Sequence, residues 1–359
     1  MSRPARVVIN LAALRHNLER ARQLSPQSRI MAIVKADAYG HGLARVATAL
    51  ESADAFGVAC LEEARLLRES GITRPVLLLE GPYNAAEIPE IRQLKLDIVV
   101  HEPGQVEMLE QAGPGDPLTV WMKIDSGMHR LGFLPGAVES MWQRLSDCRT
   151  VADNMVVMTH LALATDRESP MTREQITLFD DYCPPGAGAR SIANSAGLLA
   201  FPESHTNWVR PGIMLYGASP MEDSIGPDEG LRPVMTLESR LIAVKSVRAG
   251  GRVGYGATWQ CPEDMPVGIV ATGYADGYPR HAPSGTPVLV NGRRASLIGR
   301  ASMDMLNVDL RGQPDARPGD PVVLWGEGLP VEEIAANAGT IPYELLCGVH
   351  KRLHFIENG

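Results

Sequence analysis

The sequence predicts an α/β fold, an N-terminal (β/α)8 TIM-type barrel followed by a mainly β C-terminal domain. Three observations support this prediction. In the first two thirds of the chain, short β-branched runs alternate with amphipathic helical patterns, which indicates parallel strands covered on both faces. Eight such runs within about 210 residues fit a closed barrel, with a doubly wound open sheet as the alternative. After Pro220 the pattern changes to short β segments separated by turn residues.

The predicted barrel strands are continuous apolar runs of strand length, and amphipathic stretches such as Leu61–Ser70 and Gly104–Ala112 lie between most of them. Continuous apolar character is expected of strands that are buried on both faces. The eight runs are Arg29–Val34, Ala55–Val58, Pro75–Leu79, Asp97–Val100, Leu118–Ile124, Asn154–Thr159, Arg190–Ala193 and Asn207–Val209.

A linker that contains Pro, Gly and acidic residues, Met221–Arg232, separates the barrel from the second domain. We therefore predict one domain over residues 1–230 and a second over residues 231–359. The predicted strands of the second domain are Leu241–Val247, Val267–Thr272, Pro287–Val290, Ser296–Gly299, Met305–Leu310 and Pro321–Leu324, and its helices are Val331–Ala338 and Tyr343–Cys347.

Composition excludes several classes of protein. A net charge of −8 argues against a nucleic-acid-binding surface, which needs clustered basic residues. The five cysteines are widely spaced and form no C-x-x-C pair, so we expect reduced thiols in a reducing compartment. No stretch approaches the roughly 20 apolar residues of a membrane span, and the apolar run after the N-terminus is too short for a signal peptide. We expect a cytoplasmic protein without a membrane partner.

The segment RIMAIVKADAYGHG, residues 29–42, carries the first candidate for chemistry. An apolar strand runs directly into Lys35, and the C-terminal end of a barrel strand opens into the active-site mouth. A lysine there has a packed stem and a partly desolvated amine, which makes it a candidate Schiff-base nucleophile. The alternative is a strand-end lysine that extends to water.

Residues 32–42, AIVKADAYGHG, resemble the cofactor-lysine signature of the alanine racemases. The resemblance extends from about Arg6 to Phe355, almost the whole chain, and includes the order of the two domains. It implies an isomerase that interconverts L-alanine and D-alanine with pyridoxal 5'-phosphate, and in which Lys35 carries the cofactor and acts as one of two catalytic bases. It is compatible with D-alanine biosynthesis for peptidoglycan precursors and with alanine breakdown.

A second motif, KIDSGMHRLG at residues 123–132, follows another apolar strand. Arginine presents a planar fork that suits a carboxylate or a phenolate oxygen. The resemblance gives this role to Arg130, which would bind the substrate. The matching lysine, Lys123, is carbamylated in some members of the family, and the resulting anion holds the arginine.

Small polar residues and glycines after the last two predicted strands indicate a phosphate site, because barrels often bind phosphate there. For the first of these segments, an N-cap serine is the structural alternative. The resemblance assigns to the phosphate Ser195, Gly212, Ile213, Tyr39 and Tyr343.

Racemisation exchanges a proton on both faces of the alpha carbon, so a second base is needed opposite Lys35. The segment RVGYGATW, residues 252–259, resembles the catalytic-tyrosine motif and gives this role to Tyr255. A tyrosine needs help to act as a base, and the family uses a histidine, here His160, which links it to the arginine that faces the ring nitrogen, here Arg210. An arginine stays protonated, so the ring becomes a weaker electron sink and simple reprotonation is favoured.

In the family the tyrosine comes from a second subunit, so the resemblance implies a homodimer with a composite active site. The segment GRASMDM, residues 299–305, resembles a further motif of the second domain. It implies that Met303 contacts the substrate carboxylate through its backbone, and that Arg300, Asp304, Tyr274 and Arg280 line the entrance channel.

One position departs from the family pattern. Relatives place an acidic entrance residue five positions after the histidine, where this chain has Thr165, and Asp166 comes one position later. The entrance residue is therefore left open between these two.

Other classes lack their motifs. His350 and His354 have the spacing of a helical metal pair, but the metalloprotease glutamate is absent between them, so we predict no metal site. Gly186 and Gly188 lack the third glycine of a dinucleotide site. A non-catalytic pyridoxal-phosphate carrier on the same barrel would lack the second domain. A decarboxylase of this architecture stays open as an alternative, although those relatives resemble the chain far less.

Overall fold

The computed structural model describes residues 3–359. The predicted fold class is confirmed, since eight parallel strands close into a barrel and a mostly antiparallel sheet is formed chiefly by the C-terminal third of the chain. Residues 1 and 2, with which the predicted first domain begins, lie outside the described residues.

Strand β1 and the strands of the barrel come first along the chain. Their bounds are β1 (Arg6–Asn10), β2 (Arg29–Ile33), β3 (Ala55–Val58), β4 (Val76–Leu78), β5 (Asp97–Val100), β6 (Val120–Lys123), β7 (Val156–Met158), β8 (Ala189–Ser191) and β9 (Trp208–Val209). The helices of this part are α1 (Leu11–Leu24), α2 (Lys35–Tyr39), α3 (Leu43–Ala49), α4 (Leu61–Glu69), α5 (Ile88–Gln93), α6 (Pro103–Glu110), α7 (Pro135–Asp147), α8 (Met171–Tyr182) and α9 (Ser195–Ala200).

The remaining strands are β10 (Met235–Val247), β11 (Arg252–Val253), β12 (Trp259–Gln260), β13 (Met265–Val270), β14 (Pro287–Val290), β15 (Arg293–Leu297), β16 (Leu306–Asp309), β17 (Pro321–Trp325) and β18 (His354–Asn358). Two helices, α10 (Val331–Ala338) and α11 (Pro342–Cys347), lie between the last two strands.

The barrel consists of strands β2 to β9 in sequence order, and β9 pairs in parallel with β2 to close it. Every residue of β3 and β6 is buried, as expected when helices cover the outside and side chains fill the inside. Because all eight strands run in the same direction, the residues that follow them meet at one mouth of the barrel. This arrangement brings the segments after β2, β6, β7, β8 and β9 together.

The second sheet has the order β13-β16-β15-β14-β17-β10-β1-β18, and β10 also pairs with β13. Strand β10 is 13 residues long, with register shifts that let it serve several partners. Strand β1 lies between β10, to which it is antiparallel, and β18, to which it is parallel. Its alternating pattern explains this position, because Val7 and Ile9 are buried while their neighbours are less so.

The chain divides into two compact units. The barrel unit comprises residues 15–215 and 219–224, and the sheet unit comprises the described residues 3–14 together with 216–218 and 225–359. The predicted domain boundary at residue 230 assigns β1 to the barrel half, whereas β1 pairs only with strands of the sheet unit. The boundary itself stays a prediction.

Within residues 3–359, no helix is both long enough and apolar enough to cross a membrane. The same residues contain no group of three or more His, Cys, Asp or Glu side chains arranged to hold a metal ion. No disulfide joins the five cysteines, all of which lie in this described part of the chain.

Candidate active site

Lys35 follows β2 and begins a single turn of left-handed backbone. Four consecutive residues after it, 36–39, have φ between 52° and 56°. A run of non-glycine residues in this conformation is unfavourable, so the surrounding contacts must hold it. The turn is closed by hydrogen bonds from the Ala38 N–H to the Val34 carbonyl and from the Gly40 N–H to the Ala36 carbonyl, both 2.9 Å.

The Glu63 carboxylate fixes this turn from outside. One of its oxygens accepts the Ala36 N–H at 2.6 Å, and the other accepts the Ala59 N–H at 2.9 Å. Glu63 therefore ties together the segments that follow β2 and β3. Sequence reasoning missed it, although its place in the first turn of α4 offered a signal, because acidic residues there interact favourably with the helix dipole.

Tyr39, Ser195 and Gly212 meet in the barrel mouth. The Ser195 hydroxyl oxygen accepts the Gly212 N–H at 2.8 Å and the Met214 N–H at 3.4 Å. A Cβ atom on Gly212 would lie 2.5 Å from the Tyr39 hydroxyl oxygen, so only glycine leaves room for this side chain. Ile213, which begins a 3-10 turn, is also buried. Two hydroxyl groups and backbone N–H groups thus converge on one place.

Arg210 follows β9 and is buried. Its Nη2 donates to the Thr159 carbonyl at 2.6 Å and to the Ile192 carbonyl at 3.3 Å, and its Nη1 donates to the Ser191 hydroxyl. Burial lowers the pKa of Arg210 to about 10, still far above neutrality. The guanidinium is thus charged and bound to neutral acceptors. Ser191, a buried polar residue at the end of β8, was missed by the sequence analysis.

His160 follows β7, and its Nδ1 lies 3.5 Å from Arg210 Nη2. Arginine can only donate, so Nδ1 accepts and the ring proton belongs on Nε2. Burial, and then the positive charges of Arg210 and Lys123, hold the pKa of His160 well below its usual value. The imidazole is therefore neutral at physiological pH, with an N–H on the atom that faces away from Arg210.

Lys123 ends β6 and is buried in the same mouth. Burial, followed by the charges of Arg210, Arg130 and Lys35, lowers its pKa to about 8. Arg130 itself is exposed at the end of a loop that Asp125 organises, since Asp125 Oδ1 accepts two backbone N–H groups at 3.0 Å. The mouth thus concentrates cationic groups, which suits an anionic ligand.

The loop after His160 contains Thr165 and Asp166, the two candidates for the entrance residue. The Thr165 hydroxyl donates to the Glu222 carboxylate at 3.2 Å, whereas the Asp166 carboxylate accepts the Glu168 N–H at 2.9 Å. An acidic side chain therefore lies beside Thr165, but it comes from elsewhere in the chain.

Tyr255 lies in the sheet unit, in a 3-10 turn between β11 and β12, and it is 69% exposed. Gly254 and Gly256 flank it with φ values of 75° and 73°. A Cβ on Gly254 would lie 3.3 Å from the Arg300 backbone nitrogen, so the tyrosine turn packs against the segment that carries Arg300.

Met303 and Asp304 are also half exposed in the sheet unit, and Tyr274 and Arg280 are exposed. The Ala275 N–H donates to the Met303 carbonyl at 3.0 Å, which joins the Tyr274 segment to the Met303 segment. Tyr343 is partly buried in α11, and burial raises its pKa to about 12.

The predicted site residues fall into two groups, and each group lies in one unit. The barrel unit holds Lys35, Tyr39, Lys123, Arg130, His160, Ser195, Arg210, Gly212 and Ile213. The sheet unit holds Tyr255, Tyr274, Arg280, Arg300, Met303, Asp304 and Tyr343.

Two family models match the chain, the alanine racemase N-terminal domain over residues 9–220 and the alanine racemase C-terminal domain over residues 234–357. An alanine racemase of Halorhodospira halophila is 52% identical over 98% of this chain and 97% of its own length. A biosynthetic alanine racemase of Escherichia coli is 53% identical over 97% of this chain and 98% of its own. The crystal structure of the biosynthetic alanine racemase from Pseudomonas aeruginosa superimposes with a TM-score of 0.97 at 47% identity, covering 99% of this chain and 100% of the other.

Proposed function

This chain belongs to the alanine racemase family and is a racemase, and from that premise we propose that it interconverts L-alanine and D-alanine by a two-base mechanism with pyridoxal 5'-phosphate. One observation carries the proposal, namely the similarity to alanine racemases over nearly the full length of the chain. The matched regions include both Lys35 and Tyr255, the two residues that the mechanism needs.

The residues of the barrel mouth fit this cofactor. A phosphate group needs N–H and hydroxyl donors. Tyr39 and Ser195 bring hydroxyl groups to one place, and the N–H groups of Gly212 and Ile213 belong to the same segment, although that of Gly212 donates to Ser195 in this structure. Tyr343 is a further candidate. The absent side chain at Gly212 is consistent with a close approach of a ligand to the backbone. When bound, pyridoxal phosphate supplies the electron sink that acidifies the Cα–H bond of an amino acid.

Lys35 is the proposed attachment point and the base on the first face. Its amine is at the end of β2 and partly buried, where it can both bond to a carbonyl carbon and hold a proton near a substrate Cα. The left-handed turn after Lys35, bound by Glu63, fixes the backbone from which this amine projects. A rigid support of this kind favours proton transfer on one face only.

Tyr255 is the proposed base on the opposite face and would come from a second copy of the chain. Its exposure supports this assignment, and Tyr274, Met303 and Met305 on the same unit are also exposed large side chains. Such a group of exposed apolar residues marks a surface that contacts another protein. We therefore propose a homodimer in which each site combines a barrel unit with the partner's sheet unit.

His160 and Arg210 set the protonation of the site. With Nδ1 turned to Arg210, the Nε2–H of a neutral His160 can donate to the Tyr255 oxygen and stabilise its deprotonated form. Arg210 stays charged and can only donate hydrogen bonds, so it cannot accept one from a protonated ring nitrogen of the cofactor. The ring is then a weaker electron sink, which favours return of the proton to Cα over other outcomes. Arg130 and the Met303 backbone would hold the substrate carboxylate, and a carbamylated Lys123 would hold Arg130.

The biological role that we propose is biosynthetic, the supply of D-alanine for peptidoglycan precursors, and it is supported by the names of the Escherichia coli and Pseudomonas aeruginosa relatives. We also propose a cytoplasmic location, which the odd number and wide spacing of the five cysteines support.

The test follows Cα deuteration and optical inversion of each alanine enantiomer in D2O. Lys35→Ala should lose the cofactor absorbance and all activity. Tyr255→Phe should keep the absorbance and lose inversion, while the enantiomer whose Cα–H faces Lys35 still exchanges its proton. Tyr182→Phe, at another exposed tyrosine, is the control and should behave as the wild type. Equal loss of exchange from both enantiomers in Tyr255→Phe would exclude the two-base mechanism.

A mixture of the two inactive variants tests the composite site. In a random mixture of Lys35→Ala and Tyr255→Phe subunits, about a quarter of the sites combine an intact Lys35 with an intact partner Tyr255, so about a quarter of the wild-type activity should return. No recovery in a mixture that sediments as a dimer would mean that both bases come from one subunit.

A further inference from the structure

A buried carboxylate in the sheet unit, that of Asp276, collects five hydrogen bonds. Its side chain has no exposed surface. Arg3 donates to both oxygens, at 2.6 and 2.7 Å, and the Nε of Arg352 donates at 2.7 Å. The Gly273 N–H and the Thr272 hydroxyl add bonds of 2.9 and 3.2 Å. A carboxylate removed from water in this way is stable only because it is paired so completely.

The same two arginines also reach Asp304. The Nη2 of Arg352 donates to the Asp304 carboxylate at 2.7 Å, and the Nη2 of Arg3 donates to the Asp304 carbonyl at 3.2 Å. Two guanidinium groups therefore bridge one buried and one half-exposed carboxylate. We call these four residues, Arg3, Asp276, Asp304 and Arg352, the carboxylate clamp.

The clamp joins two backbone segments that already touch. The Tyr274 N–H donates to the Ser302 carbonyl and the Ala275 N–H to the Met303 carbonyl, both at 3.0 Å. At Gly273 the backbones are so close that a Cβ would lie 2.2 Å from the Ser302 carbonyl oxygen. The clamp thus fixes the backbone of the two segments, while their outer side chains, Tyr274 and Met303, remain exposed.

We propose that Asp276 is a positioning residue for substrate capture, because its pairing with Arg3 and Arg352 holds the backbone of Met303 in the place where it binds the substrate carboxylate. The inference rests on the proposed function, which gives Met303 that contact. Asp276 does not touch the substrate. It acts through the bridge to Asp304 and through the Tyr274 segment.

The charges of the clamp agree with this role. Burial alone would raise the pKa of Asp276, but the hydrogen bonds from Arg352 and Arg3 outweigh it and hold the pKa below its usual value. The carboxylate is therefore ionised at neutral pH. Bidentate arginine pairs fix direction as well as distance, so they suit a backbone that must not shift by a fraction of an ångström.

The first experiment measures hydrogen–deuterium exchange at the Tyr274 and Ala275 amides in the holoenzyme, and so does not depend on racemase activity. Asp276→Asn should raise both exchange rates by about tenfold or more. The asparagine side chain is neutral, so it loses the charge pairing with Arg3 and Arg352 that holds the backbone of this segment. The matched control is Asp309→Asn, since Asp309 also pairs with an arginine, Arg311, in the same sheet but touches neither segment. The control should leave both rates unchanged. Unchanged rates in Asp276→Asn would overturn the proposal.

The second experiment separates positioning from stability. Asp276→Asn should raise the KM for L-alanine by about tenfold while kcat changes by less than about threefold, and the cofactor absorbance should stay as in the wild type. A lower thermal midpoint with an unchanged KM would show that the clamp is only structural. If the wild-type protein itself does not racemise alanine, the proposed function is disproved. The hydrogen–deuterium exchange result would still stand, because it does not depend on activity.

A third pair of variants keeps the test decisive if Asp276→Asn does not fold. Arg352→Lys keeps the positive charge but loses the planar guanidinium that contacts Asp276 and Asp304 together. We expect a KM increase of about threefold. Arg352→Ala should show a larger increase, and millimolar guanidinium should reverse part of it without changing kcat. The absence of any KM increase in both variants would also overturn the proposal.

Discussion

Lys123 should destabilise the folded protein at neutral pH, and removing its amine should reveal by how much. A pKa near 8, compared with 10.5 for an exposed lysine, means that the charged form costs the folded state about 3 kcal/mol. Burial is the main cause, followed by the positive charges of Arg210 and Arg130. Lys123→Met keeps a side chain of similar length without a charge, so it should unfold at higher urea concentration than the wild type at pH 7.

The pH dependence gives the sign of the effect. Below pH 8 the lysine is protonated in both the folded and the unfolded chain, so the full cost is present. Between about pH 8 and 10.5 the folded protein has lost this proton while the unfolded chain still binds it, so stability rises with pH. The advantage of Lys123→Met should therefore be about 3 kcal/mol at pH 7 and slightly less than half of that at pH 9.5.

The assay is urea unfolding at fixed protein concentration in CO2-free buffer at the two pH values, with and without added bicarbonate. A neutral amine is the form that reacts with CO2, and at pH 7 a pKa of 8 leaves about one Lys123 in ten neutral, compared with about one in three thousand for an exposed lysine. Bicarbonate should thus stabilise only the wild type, and carbon-13-labelled bicarbonate should give a carbamate signal that Lys123→Met lacks.

The control is Lys245→Met, which changes an exposed lysine of β10 and should alter stability equally at both pH values. If Lys123→Met unfolds at lower urea concentration than the wild type at pH 7 in CO2-free buffer, the charge on Lys123 does not destabilise the folded state and the reasoning fails.

Three further substitutions test other contacts of the barrel mouth. Gly212→Ala places a methyl group 2.5 Å from the Tyr39 hydroxyl, so we expect about tenfold weaker cofactor binding in an absorbance titration, and unchanged affinity would contradict the proposed cradle. Glu63→Gln leaves one backbone N–H without its acceptor, and denaturant unfolding should show a loss of about 1 kcal/mol, with no loss as the contrary result. Arg210→Met removes a neighbouring cation, so an NMR titration should find the pKa of His160 raised, and a pKa that does not rise would mean that the Arg210 charge does not lower it.

The barrel was predictable because most of its strands are short, largely apolar runs, although β8, Ala189–Ser191, is not. All eight predicted runs contain an observed strand or most of one, and Ala55–Val58 and Asp97–Val100 match to the residue. The exposed strands of the second sheet were harder to predict from the sequence. The prediction Ser296–Gly299 begins too late, because β15 starts at Arg293, where charged residues on an exposed strand hide its pairing. Strand β18, His354–Asn358, was missed for the same reason, since none of its residues is fully buried.

The local structure at the site was predictable only in part. The motif around Lys35 identified the residue from its context, but alanine-rich KADAY favours a right-handed helix by intrinsic propensity. The observed left-handed turn depends on contacts from Glu63, in α4, which no local pattern reveals. The clamp at Asp276 is likewise built from contacts between residues as many as 301 positions apart, those of Arg3 with Asp304, so only the folded chain brings it together.

The parallel pairing of β1 with β18 has a consequence for how the chain is made. During synthesis, Arg6–Asn10 leaves the ribosome more than two hundred residues before its antiparallel partner β10, and its other partner, β18, comes at the far end of the sequence. The sheet unit can therefore be completed only after β18 has been synthesised, whereas all strands of the barrel unit are made before β10 begins. A nascent chain should thus carry a formed barrel tethered to an unpaired β1, and that strand is where premature association with other chains would begin.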